Sequence, residues 1–291
     1  MYLTGFADEA AKDIDGQIRA IKELGWSNIE SRNIDGANIH DIDDKAFDVV
    51  CGKLADAGVA INCFGSAIAN WAKSIEKPFD ADLAEVRRAI PRMKRLGTKM
   101  IRIMSYPPLK DRPMDDQMAD ERFARLRILV KMFADEGLQA LHENCMNYGG
   151  QGWKYTLRML DEVPGLKLVF DTGNPVNTQD RDNPGRRQSA WDFWQHVKEH
   201  VVYIHIKDGL PAPEGKTQWC WCGEGDGDVK RIVADALAGG YDGGFSMEPH
   251  MGFVAHEAGA VTEDEYRYRN FVEYGRRFEK ILAEARKAAG R

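Results

Sequence analysis

Glu143, Asp171, His205 and Glu248 are side chains of the kind that hold divalent ions, and they are spaced 28, 34 and 43 residues apart. Each closes or nearly closes a short apolar run. The runs read Leu-Gln-Ala-Leu-His142-Glu143, Leu-Lys-Leu-Val-Phe-Asp171, Val-Val-Tyr-Ile-His205-Ile and Gly-Phe-Ser-Met-Glu248. Each interval is about one strand plus one helix, so four ligand-capable groups are expected on four successive parallel strands, at the same end. Three carboxylates gathered there repel one another unless something positive lies between them. One divalent ion removes that repulsion. Oxygen-rich ligation with a single nitrogen suits Mn²⁺, Mg²⁺, Co²⁺ or Zn²⁺, and residue type does not choose among them. Taken singly, these residues have plainer readings. A carboxylate at a strand end can cap the next helix, and a histidine between Ile204 and Ile206 can sit satisfied in a core. Four in succession are not accounted for that way.

The elements that must position these residues follow from hydrophobic period. Strands are expected over 2–6, 26–30, 59–64, 99–104, 138–143, 166–171, 201–206 and 244–248. Helices are expected over 14–24, 44–57, 80–96, 120–136, 153–162, 190–199, 228–238 and 263–287. In the first helix Ile14, Ile18, Ile21 and Leu24 share one face. Gly25, Gly58, Gly97 and Gly137 stand where helices stop. Strict alternation of eight strands with eight helices predicts an α/β protein, a (β/α)8 TIM barrel. We expect a single domain over 1–291, closed by the helix 263–287. A doubly wound open sheet would need a glycine-rich phosphate turn after an early strand, and the first turn, Phe6-Ala-Asp-Glu-Ala, is not one. The long connections 64–80, 104–120, 171–190 and 206–228 all follow strands, which places the elaborated loops on the face where barrels carry their sites.

Composition narrows the partners. The formal charge is −6, which argues against a nucleic-acid partner. No apolar run reaches the roughly 18–20 residues of a membrane helix. The start, MYLTGFADEA, lacks the basic and long apolar regions of a signal peptide, so a cytoplasmic protein is expected. Five cysteines are an odd number, and Cys220-Trp-Cys222 is not a zinc spacing, so free thiols are expected.

The motifs LHEN with Glu143, FDTGN with Asp171, HIKD with His205, SMEP with Glu248, and the Gly223-Glu-Gly-Asp226 turn resemble the xylose isomerase-like TIM barrels, the sugar phosphate isomerase/epimerase group. The resemblance covers nearly the whole chain. It implies that Glu143, Asp171, His205 and Glu248 bind one divalent metal. It also implies that Glu143 and Glu248 form an acid/base pair on opposite faces of a sugar, with the metal polarising a carbonyl so that an enediolate is stabilised. The expected reaction is isomerisation or epimerisation of a carbohydrate or cyclic polyol. A lyase or dehydratase acting on a keto-sugar, keto-glycoside or keto-inositol is the near alternative. A non-catalytic sugar-binding or accessory barrel is the alternative from another class. A homo-oligomer, dimer or tetramer, is plausible from the family. The chain departs from many relatives at Asn174, where a histidine would stand, and after His205, where Lys207-Asp208-Gly209 carries no arginine. Asn cannot relay a proton but can hydrogen-bond a substrate hydroxyl. The endonuclease IV-like relatives need several more histidines than the seven present.

Further substrate contacts are expected from Asn174, Lys207, Asp208 and His250. Glu30 is expected to bind a sugar hydroxyl, or else to pair with Arg32 at the surface. Trp71 and Trp219 are the loop aromatics expected to pack on the C–H face of a sugar.

Overall fold

A computed structural model describes residues 1–251 and 262–290. The eight barrel strands are β1 Tyr2–Gly5, β2 Asn28–Ser31, β3 Ala60–Gly65, β4 Met100–Ile103, β5 Gln139–Glu143, β6 Lys167–Asp171, β7 Val201–Ile206 and β8 Gly244–Met247. The major helices are α1 Ile14–Glu23, α2 Asp44–Ala57, α3 Asp80–Leu96, α4 Ala119–Ala134, α5 Trp153–Glu162, α6 Ala190–Val197, α7 Val229–Ala238 and α8 Glu263–Ala288.

All strand pairs around the barrel are parallel, in the order β1-β8-β7-β6-β5-β4-β3-β2. A parallel bridge between Phe6 and Glu30 joins β1 to β2 and all but closes the ring. The predicted (β/α)8 barrel is the fold. Expected boundaries agree to within a few residues, as they should where period-2 and period-3.6 patterns are clean. Helix ends follow their local chemistry. Asp13, Asp43, Ser189 and Thr262 each accept a backbone N–H at an N-cap. Gly58 ends α2 at φ +64°, a left-handed conformation that a β-carbon disfavours.

Two apolar layers result. The larger lies between strands and helices, and a small plug inside the barrel is made by Cys63, Leu141, Val169 and Tyr203. Polar residues lie in the interior beyond that plug. Helix α8 packs on α7 and α1, and Phe271 lies so close to Gly5 that a β-carbon there would collide with its ring. All five cysteines are free thiols. Among the described residues no helix is long and apolar enough to cross a membrane.

The long loops are more ordered than their composition suggests. Residues 33–38 and 208–220 form small antiparallel ribbons, Asn33–Ile34 with Ala37–Asn38 and Asp208–Pro211 with Thr217–Cys220. The 171–190 connection begins with a short helix, Asn174–Asn177. The sequence pattern reads 171–190 and 206–228 only as connections, because strands and helices this short show no period.

Candidate metal centre

The strand ends bring Glu143, Asp171, His205 and Glu248 together, with one ligand atom from each within 4.8 Å of all the others. Asp171 and His205 are register partners on β6 and β7. All four side chains are buried. His205 Nδ1 lies 3.7 Å from Glu143 Oε1, 3.6 Å from Glu248 Oε2 and 3.9 Å from Asp171 Oδ2. That nitrogen has no hydrogen-bond partner among the described residues. An imidazole nitrogen without a partner, facing three carboxylate oxygens, is a donor set that fits one divalent cation.

Each of the four is held by neighbours, and Lys207 and Asn174 each hold two of them. Arg102 Nη1 donates to Glu143 Oε2 at 2.8 Å, and Asn174 Nδ2 donates to Glu143 Oε1 at 2.8 Å. Asp171 Oδ1 accepts the backbone N–H groups of Gly173 and Asn174 at 2.8 and 2.7 Å. Its Oδ2 is ion-paired with Lys207 Nζ at 3.0 Å without an aligned hydrogen bond. The same ammonium lies 3.1 Å from Glu248 Oε2, and Arg32 Nη1 donates to Glu248 Oε1 at 3.2 Å. On the far side of the imidazole, His205 Nε2 is 3.2 Å from Glu30 Oε1 and 3.0 Å from Glu30 Oε2.

These contacts set the charges. Burial pushes the Glu143 carboxyl up, but Arg102 and His205 outweigh it and hold it down to about 2. Glu248 is likewise buried, and Lys207 with the two histidines keeps it well below the usual carboxylate range. Asp171 goes the other way. Burial, with Glu248 and Glu143 adding to it, lifts it to about 7 against the pull of Lys207. The His205 ring is desolvated, yet Glu30 and the ligand carboxylates hold its value well above that of a free imidazole.

Other expected site residues fall in different places. Asn174 is beside Glu143, and Lys207 is in the ligand cluster itself. His250 donates its backbone N–H to Glu9 Oε2 at 2.7 Å and sets its Nδ1 2.8 Å from Glu9 Oε1, with Nε2 3.6 Å from Glu248. Trp219 lies edge-on to His250 at 5.5 Å and 5.2 Å from the Lys207 ammonium. Trp71 is 51% exposed on the β3–α3 loop.

Asp208 and Glu30 are both engaged by the chain itself. Asp208 is fully buried just after β7. Its two oxygens accept the backbone N–H groups of Gly209, Gly223, Gly225 and Gly227 at 2.8–3.0 Å, because a buried carboxylate must fill its lone pairs and the glycine turn supplies donors. Glu30 neither meets open solvent nor pairs with Arg32. It is fully buried and turned to His205, Tyr203 and Ser246. Arg32 instead binds Asp8, Glu9 and Glu248.

Arg102 escaped the sequence reading altogether. The available signal was a charged residue between Ile101 and Ile103 in a strand, which must point into the barrel where its apolar neighbours point out. Glu9 lies in the short helical turn after β1. Its partners Arg32 and His250 are distant in sequence, so only the fold reveals them.

The profile of the xylose isomerase-like TIM barrel family matches residues 18–269. Among curated proteins no match is found. Several solved structures share the fold. One is a xylose isomerase-like TIM barrel protein from Mycobacterium smegmatis in complex with magnesium, 17% identical, covering 97% of each chain with a TM-score of 0.68. Another is an L-ribulose 3-epimerase, 16% identical, covering 99% of this chain and 96% of its own, with a TM-score of 0.68. A third is a probable 3-DHS dehydratase from Bacillus anthracis, 17% identical, covering 92% of this chain and 97% of its own, with a TM-score of 0.65.

Proposed function

From a chain that belongs to the xylose isomerase-like TIM barrel family, we propose a divalent-metal-dependent sugar isomerase or epimerase that removes a proton alpha to a carbonyl of a carbohydrate or cyclic polyol. The observation that carries this reading is His205 Nδ1, without a hydrogen-bond partner among the described residues, facing three carboxylate oxygens. Glu143, Asp171, His205 and Glu248 would hold the ion. Once bound, it supplies Lewis acidity to a substrate carbonyl, which acidifies the neighbouring C–H.

The chain's own residues supply the rest. Arg102 and Lys207 keep Glu143 and Glu248 ionised, as a base must be. Asn174 and Arg102 each bind one oxygen of Glu143 and so fix its plane. One glutamate takes the proton. Return of that proton by the same carboxyl to the adjacent carbon gives isomerisation. For epimerisation the first carboxyl gives that proton up to solvent, and the other, having taken one from solvent, delivers it to the opposite face. His250 and Trp219, at the mouth beside Lys207, are placed to meet substrate hydroxyls and C–H faces. The likeness to an L-ribulose 3-epimerase supports this reading.

The likeness to a probable dehydratase supports a second reading, in which the same α-proton leaves and a β-hydroxyl then departs as water, forming a C=C bond.

One experiment separates these outcomes. The protein with added Mg²⁺ or Mn²⁺ is incubated in D₂O with ketoses, inososes and 3-keto-glycosides, and products are read by NMR after chelation. Deuterium at an α-carbon, dependent on metal and abolished in Glu248→Gln, is expected. An olefinic product would favour the dehydratase. No exchange on any substrate, with one metal bound per chain, would overturn proton abstraction as the function.

A further inference from the structure

Glu30 is the penultimate residue of β2 and is fully buried in the barrel interior. Its Oε2 accepts the Tyr203 hydroxyl at 2.9 Å and the Ser246 hydroxyl at 2.6 Å. These come from β7 and β8, so two strands hold one oxygen. The Cys63 thiol also lies against this carboxylate, and His205 Nε2 stands 3.2 Å from Oε1 and 3.0 Å from Oε2. The imidazole is also wedged edge-on between Phe6, at 5.1 Å, and Tyr203, at 5.4 Å. A carboxylate with its oxygens turned to an imidazole nitrogen is an acceptor, so that nitrogen carries the proton. The opposite nitrogen, Nδ1, is the one that faces Glu143, Asp171 and Glu248.

We propose that Glu30 is a positioning residue for the metal centre. It fixes the ring plane of His205 and keeps a proton on Nε2, so that Nδ1 is presented to the ion. Tyr203 and Ser246 aim Glu30, and Glu30 aims His205. This rests on the metal-dependent reading above but is a separate claim about the chain's own atoms. A carboxylate behind a ligating histidine both orients the ring and raises its basicity, and losing such a partner typically weakens metal binding about 10- to 100-fold.

Glu30→Gln tests it with little change of volume. The two hydroxyls claim the amide oxygen, which turns the amide nitrogen, a donor, toward His205 Nε2. In ¹⁵N-labelled metal-free protein the ring Nε2–H resonance, assigned by its loss in His205→Gln, is expected far downfield and slow to exchange. In Glu30→Gln it is expected to move upfield or vanish, and calorimetric Mg²⁺ or Zn²⁺ affinity is expected to fall about 10- to 100-fold. Tyr203→Phe keeps the carboxylate and removes one of its anchors. It is expected to move the same resonance in the same direction by less, and it carries the test should Glu30→Gln not fold. A ring signal unmoved in the folded variants, or wild-type metal affinity in Glu30→Gln, overturns the proposal. Wild-type protein that binds no ion, while its ring signal still responds to Glu30, refutes the metal-dependent reading and leaves the orientation of His205 by Glu30 standing.

Discussion

Arg102 shows how much a single buried charge controls. Its guanidinium is ion-paired with Glu143, and both groups are shut away from water. Removing one partner strands the other. Arg102→Met is therefore expected to lower stability by about 3–5 kcal/mol in urea unfolding. It should also move the acid limb of the rate–pH profile upward, since Glu143 loses the contact that holds it down to about 2. His40 makes the opposite case. It is fully buried, neither ring nitrogen has a hydrogen-bond partner among the described residues, and desolvation pushes it down to about 4 from 6.5. The folded chain thus resists a proton that the unfolded chain accepts. Stability is full above the unfolded value and is lost as pH falls from 6.5 to about 4. The loss is on the order of 3 kcal/mol. Urea midpoints at pH 7.5 and 4.5 should show it in the wild type, and His40→Leu should flatten the dependence. An equal slope in both proteins would refute the assignment to His40.

At the scale of elements, the long loops are pinned by single buried side chains. Asp82 accepts from the Ala69 N–H, the Lys73 ammonium and the Tyr106 hydroxyl, which ties down the loop after β3. Arg122 donates to the carbonyl oxygens of Ser105, Tyr106, Pro107 and Gln117, which ties down the loop after β4. Asp208 gathers four glycine-rich N–H groups after β7. Gly225 and Gly227 are needed there because a β-carbon at either would collide with the Asp208 carboxylate. Gly225→Ala and Asp208→Ala are each expected to destabilise by about 2–3 kcal/mol, since each leaves charged-group hydrogen bonds unmade. The double variant should cost much less than the sum, because both changes break the same turn. Additive losses in a double-mutant cycle would mean that the two act separately.

For the whole molecule, the barrel gathers chemistry from strands far apart in sequence at one end. Helix α8 ties the ends of the chain into that geometry, with Arg267 donating to the Asp8 carbonyl at 2.8 Å and Trp26 donating to Glu279 at 2.9 Å. An ion that binds only the folded barrel stabilises all of it. A divalent ion at a hundredfold excess over its Kd should add about 2.7 kcal/mol. Calorimetry should show a raised Tm that a chelator reverses and that Asp171→Asn abolishes. A Tm indifferent to every divalent ion tested would count against the centre.

The alternation of elements, the barrel, and the spacing of Glu143, Asp171, His205 and Glu248 were readable along the chain. Each is a local period or a strand-terminal residue type, and such signals survive in one dimension. Boundaries of the eight strands followed for the same reason. The supporting shell did not. Arg102, Glu9 and the true partners of Glu30, Arg32 and Asp208 depend on which strands adjoin and which way each side chain turns. Those pairings span up to 241 residues, as between Glu9 and His250. No local pattern encodes a partner that distant. Only closure of the barrel places Glu30 behind His205 and turns Asp208 into the clasp of a glycine turn. Residue types pointed to a donor set that could hold a metal, whereas burial and hydrogen-bond direction assigned each group its neighbour.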